Sequence, residues 1–143
     1  MTKRMISLLC TLMLVMSVPT AACASEVTPR ASDYFSCTGV CAVAIGGGKI
    51  LIEIDVDATH LMDEVGASYV IIYKELSYGS YEKVYTFSKD TTSRMIVENS
   101  FFGYVDVTYQ GVPGERYYAM VGCYAKDSNG SETLFFNTNI VTA

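Results

Sequence analysis

The sequence predicts an all-β fold, a two-sheet antiparallel β-sandwich of about seven strands or a small barrel, following an N-terminal signal peptide. Three observations lead there. Short β-branched and aromatic runs recur between turn signals, apolar and polar residues alternate where the pattern is cleanest, and no helical period of useful length follows residue 24.

The chain opens with Lys3 and Arg4, and Met5 to Val18 then runs through Leu, Met, Val and Ile with only small or weakly polar interruptions. This apolar stretch of about 14 residues falls short of the roughly 18 to 20 that span a bilayer, and it has the form of an export signal. Pro19-Thr20-Ala21-Ala22-Cys23-Ala24 supplies the small residues that a signal peptidase accepts, with cleavage expected after Ala24. Thr20-Ala21-Ala22-Cys23 is also a degraded lipobox, so a lipid-anchored surface form held through Cys23 is the alternative to free secretion. The expected organisation is a signal peptide over 1–24, a flexible lead-in over 25–33 and a β-sandwich domain over 34–143.

Removal of Lys3 and Arg4 leaves eight basic against fifteen acidic side chains, a formal net charge of −7. Such a surface argues against nucleic acid as a partner and against an anionic membrane, so membrane contact is expected only through the signal peptide or lipidated Cys23.

The strands follow in order. Tyr34 to Ile45 is the first, and Gly46-Gly47-Gly48 turns it back onto a second, in which Ile50, Ile52, Ile54 and Val56 alternate with Leu51, Glu53, Asp55 and Asp57. That alternation predicts one buried and one mostly acidic face. The stretch that follows Asp57, with His60, Asp63 and Glu64, reads as a loop. Tyr69 to Lys74 and Glu82 to Phe87 are β-branched and aromatic, with Ser77-Tyr78-Gly79-Ser80 as turn material between them. Arg94 to Val97 is a weaker candidate, and Tyr104 to Tyr109 a strong one. Tyr117 to Ala125 and Leu134 to Val141 complete the set, joined by a turn carrying Asn129-Gly130.

Three cysteines lie beyond the signal, Cys37, Cys41 and Cys123. Four residues of strand separate the Cα atoms of Cys37 and Cys41 by about 13 Å, beyond the roughly 7 Å a bridge tolerates. Export permits a disulfide without requiring one, and the bridge left open is Cys123 with Cys37 or Cys41.

Pro113-Gly114-Glu115-Arg116-Tyr117-Tyr118-Ala119-Met120-Val121 resembles the Pro-Gly-x-x-Tyr-x-x-x-Val segment of fibronectin type III domains. The resemblance implies an immunoglobulin-like sandwich in which Tyr117 anchors a corner by hydrogen-bonding back to the chain. Tyr69 to Lys74 would be its third strand, and the buried Trp usual in the second strand is missing here. The signal peptide, Val27-Thr28-Pro29-Arg30, Gly103-Tyr104-Val105 and Tyr117-Tyr118-Ala119 more loosely resemble small, uncharacterised secreted proteins of Gram-positive gut bacteria. That resemblance implies export and a sandwich, and no activity.

The candidate sites are few. Asp55, Asp57, Asp63 and Glu64 concentrate oxygen ligands that would suit Ca²⁺, although no Asp-x-Asp-x-Asp-Gly loop accompanies them, and Asp63 and Glu64 would equally cap a helical turn. His60 is the single histidine, which excludes a multi-histidine zinc site. It would have to pair with Cys41 or Cys123 to build a nucleophile, and no local signature supports that. Eleven tyrosines are the compositional oddity. Tyr78 and Tyr81 flank a turn where packing cannot readily consume both, and Tyr104, Tyr118 and Tyr124 are expected in a row on one sheet face. The function these features predict is a non-catalytic extracellular binding module for a protein or glycan, with no cofactor. A tethered structural surface lipoprotein and a small secreted hydrolase are the alternatives.

Overall fold

The computed structural model describes residues 32–143, so the expected signal peptide, Cys23 and most of the lead-in lie outside the described residues. The fold is all-β and antiparallel, as the alternation predicts. β1 (Phe35–Gly46) and β2 (Lys49–Glu75) are joined at Gly47-Gly48; a short 3-10 turn (Ser77–Gly79) leads to β3 (Tyr81–Ser88), then β4 (Ile96–Gln110), β5 (Arg116–Asp127), β6 (Gly130–Asn137) and β7 (Val141–Thr142) follow.

β2 organises everything else. Over Lys49–Asp57 it is flanked by β1 on one side and by the second half of β4 on the other. From Glu64 to Glu75 β5 lies on one side, with the first half of β4 on the other up to Gly66 and β3 from Tyr69 onward, and β5 carries β6 and the short β7. The seven strands thus form one sheet that curls about the middle of β2.

The expected loop after Asp57, which carries His60, Asp63 and Glu64, is corrected to strand. Met62 and Val65 are fully buried there, and two irregularities of register let the strand bend without losing its pairing. Gly66 makes the bend possible. It sits at φ +153°, and a Cβ there would drive into the Met95 carbonyl, which accepts a 2.8 Å hydrogen bond from the Ala67 N–H. Of the weak candidate from Arg94 to Val97 only the end is strand: Arg94 lies in the turn before β4 at φ +66°, and Val97 and Glu98 of β4 pair with Val65 and Glu64.

Curling brings the inner faces together. Ile50, Ile52, Ile54 and Val56 from the first half of β2 share one core with Val70 and Ile72 from the second, and with Val105, Val107, Ala119 and Val121 from β4 and β5. Each such aliphatic side chain contributes roughly 1.5–3 kcal/mol on burial. Between β6 and β7, Asn139 closes the free edge of β1. Its Nδ2 donates to the Ala42 carbonyl and its Oδ1 accepts from the Ala42 N–H, both at 2.9 Å, in the manner of a neighbouring strand.

Tyr117 opens β5 almost wholly buried, and its hydroxyl accepts a 3.0 Å hydrogen bond from the N–H of Val112, five residues upstream. The segment before β5 is therefore fastened to the core by a side chain rather than by a strand.

Candidate functional site

The expected calcium ligands do not converge. Among the described residues no group of three or more His, Cys, Asp or Glu side chains could hold a metal ion. Asp55 and Asp57 stand on the exposed outer face of β2, whereas Asp63 and Glu64 lie past the break of register between Asp57 and Met62, on strand rather than at a helical turn. Glu64 is already occupied, with Lys126 Nζ at 3.1 Å and Lys89 Nζ at 3.6 Å, and these two ammonium groups hold its carboxyl below the usual range.

The expected disulfide is also corrected. Cys37 and Cys123 are free thiols, and Cys41 is disulfide-bonded to neither of them. Strand register explains the failure. Cys123 pairs with Ala67 in the second half of β2, while Cys37 and Cys41 pair with Asp57 and Glu53 in the first. Burial without a charged neighbour pushes the Cys123 thiol up to about 12, so it behaves as a small apolar core residue.

His60 is not a loop residue. It stands on β2 with its Nε2 2.9 Å from Asp127 Oδ2 and its Nδ1 2.9 Å from Thr59 Oγ1. The order Thr59, His60, Asp127 has the outline of a nucleophile relay, but the Thr59 hydroxyl donates its proton to the Asp33 carbonyl at 2.6 Å and has none left for His60. Asp127 also accepts from the N–H groups of Asn129 and Gly130, and His60 and these donors lower its carboxyl to about 2. The group is a clasp between β2 and the β5–β6 turn.

The tyrosines divide between two outer faces instead of forming one row. Tyr104 lies on β4 opposite Asp55, and its hydroxyl donates to Glu53 Oε1 at 3.0 Å. Tyr118 and Tyr124 lie on β5, in the other half of the sheet. There Tyr118 is the centre of a cluster. Its ring stacks on that of Tyr73, its cross-strand partner, at 5.0 Å between centroids, and meets the edge of Tyr81 at 4.8 Å. Tyr81 is 39% exposed at the start of the edge strand β3. Tyr78 belongs to the 3-10 turn just before it, and its side chain lies outside the described residues.

Strand period two places more than rings on this face. Glu75 follows Tyr73 by two residues and Arg116 precedes Tyr118 by two, so all four point the same way, and Arg116 Nη1 reaches Glu75 Oε2 at 2.6 Å. A second ion pair, Lys74 Nζ to Glu115 Oε1 at 3.3 Å, lies beside it. Between the end of β2 and the start of β5, with the chain that adjoins each, is an open cleft of about 420 Å³ lined by Lys74, Glu75, Leu76, Ser77, Gly114, Glu115 and Arg116. Its volume is within the range of small-ligand sites. Sequence reasoning named Tyr81 but missed the cleft, because Glu75 and Arg116 are far apart in the chain and only register joins them. The signal that was available is the repeat of tyrosine and charge at spacing two in Tyr73-Lys74-Glu75 and Arg116-Tyr117-Tyr118.

No family model matches the chain, and no curated protein does. Among solved structures it is similar to the solution structure of a late embryogenesis abundant (LEA) protein, with a TM-score of 0.45 and 8% identity over 74% of this chain and 71% of that one. It is also similar to the superoxide reductase from Nanoarchaeum equitans, with a TM-score of 0.30 and 12% identity over 79% of this chain and 96% of that one.

Proposed function

We propose that this chain is an exported, non-catalytic binding module with an immunoglobulin-like, fibronectin type III-like sandwich fold. Its ligand is an extracellular protein or glycan, held by Tyr73, Tyr81 and Tyr118 together with the neighbouring cleft that Glu75 and Arg116 line on the same strands. The aromatic cluster beside that cleft carries the reading. Tyrosine gives rigid contact area with a polar tip, and an exposed Tyr81 backed by the half-buried Tyr118 and Tyr73 next to a concavity is what a binding surface needs and what a solvated sheet face does not. The sandwich is supported by the two halves of β2 facing one core and by the Tyr117 hydroxyl fastening the segment before β5. Export is supported by residues 1–24 of the sequence.

The test is a binding screen of the purified protein against extracellular proteins and glycans, repeated with Tyr118→Ala after circular dichroism has shown that the variant is folded. A ligand bound by the parent and lost by the variant supports the module. Binding indifferent to both Tyr118→Ala and Tyr81→Ala, or no ligand in either panel, overturns it. Fatty-acid labelling abolished by Cys23→Ser would convert the secreted form into a lipid-anchored one.

A further inference from the structure

We infer that the ligand of this cleft is a neutral glycan, an inference that rests on the binding-module reading and narrows it. The cleft offers two opposed ion pairs, Arg116 with Glu75 and Lys74 with Glu115. Each cation is already matched by a carboxylate, so the lining has no net charge to give an anion. A phosphate, sulfate or acidic peptide arriving at Arg116 would meet Glu75 and Glu115 at the same time. A cationic ligand would be repelled in turn by Lys74 and Arg116.

Neutral hydroxyls have no such conflict. A sugar hydroxyl both donates and accepts, and the lining presents acceptors on Glu75 and Glu115 alternating with donors on Lys74, Arg116 and the Ser77 hydroxyl. Vicinal hydroxyls on a pyranose ring can therefore bridge a carboxylate oxygen and a guanidinium N–H held 2.6 Å apart, each group remaining paired. The rings supply the rest. A pyranose has one face of C–H groups, and the exposed ring of Tyr81 is braced edge-on by Tyr118, which is itself stacked on Tyr73. That bracing holds the platform rigid before the ligand arrives, so little side-chain freedom is lost on binding. A ligand lying across the platform with its hydroxyls over the cleft uses both halves of the site, and an extended oligosaccharide has the length to do so.

The experiment is an array of neutral oligosaccharides set beside their sulfated and sialylated counterparts, followed by calorimetry on the best binder. Neutral glycans are expected to bind, with affinity falling about tenfold or more in Tyr81→Ala and in Glu75→Gln, as for a residue at the centre of an interface. Asp106→Asn, on the opposite half of the sheet, is expected to leave affinity unchanged. Retention of binding by both Tyr81→Ala and Glu75→Gln would overturn the inference. Binding confined to charged glycans would also overturn it, since paired charges cannot select them. A protein ligand lost with Tyr118→Ala, alongside a blank neutral array, would sink the glycan and keep the module; blanks in every panel would sink both.

Discussion

The two halves of β2 are built alike on the inside and differently on the outside. Lys49–Asp57 and Glu64–Glu75 both send alternate aliphatic residues into one core. Outward, the first half presents Glu53, Asp55 and Asp57, with Asp106 of β4 directly opposite Glu53. The second presents Tyr69, Tyr73 and Glu75, with Tyr118 opposite Tyr73. A like-charge cross-strand pair costs stability, and a stacked aromatic pair adds it. Burial, and after it the Asp57 and Glu53 carboxylates on the same strand, raise the carboxyl of Asp55 above its ordinary value. The comparison teaches that alternation secures the inner face alone; outside, the chain is free to place charge for solubility on one half and a rigid ring cluster on the other.

The strongest way to break the comparison is to attack the shared core from each side. Ile54→Ala and Ile72→Ala, both at buried positions, are each expected to cost roughly 2–5 kcal/mol. Both are expected to unfold in a single urea transition, since the halves share a core. Two separated transitions in either variant would show the halves to be independent.

Next in size is Tyr117→Phe, which keeps the ring and leaves the Val112 N–H without its acceptor. A loss of roughly 0.5–1.5 kcal/mol is expected by chemical denaturation, the net worth of one hydrogen bond, because Val112 is exposed and water can replace the lost acceptor.

Acid separates two carboxylates by sign. Asp127 is held near pH 2 in the folded state, below its unfolded value, so its contribution is complete above about pH 4 and disappears as pH falls toward 2. Asp55 is displaced the other way. Its folded value is raised, so its ionisation penalises the fold at neutral pH and the penalty is relieved as pH falls through the window above its ordinary 3.8. Urea midpoints measured from pH 2 to 6 should therefore lose their acid limb in part with Asp127→Asn. With Asp55→Asn the neutral-pH midpoint should rise instead; a fall there would refute the account of the acidic face.

The smallest effect is expected from Asp106→Asn, which removes the like charge opposite Glu53. A gain of a few tenths of a kcal/mol is expected at low salt, vanishing in high salt where the repulsion is screened. Equal gains at both ionic strengths would assign the effect to packing.

Much of the fold was legible because period-two alternation is a local signal. Ile50, Ile52, Ile54 and Val56 identified their strand unaided, and Asn129-Gly130 identified the β5–β6 turn. The middle of β2 was not legible. Thr59, His60 and Asp63 read as loop residues, and only the docking of β4 and β5 against Val65 turns that stretch into strand. The expected Leu134–Val141 strand breaks for a similar reason, since Thr138 is buried with its hydroxyl accepting from the Ala119 N–H and Asn139 leaves the ladder to cap β1. Of the site, Tyr81 was visible as a tyrosine beside a turn. Its partnership with Tyr118 was not.

What the sequence determined by itself is the class of the molecule and the inward face of each strand, because hydrophobic alternation and turn chemistry act within a few residues. Tertiary structure alone decided that β2 is one bent strand, that Cys123 ends far from β1 in the ladder, and that Glu75 meets Arg116 beneath a tyrosine cluster. Each of those depends on strand register, and register is a property of pairs of segments distant in the chain, set only when the shared core closes.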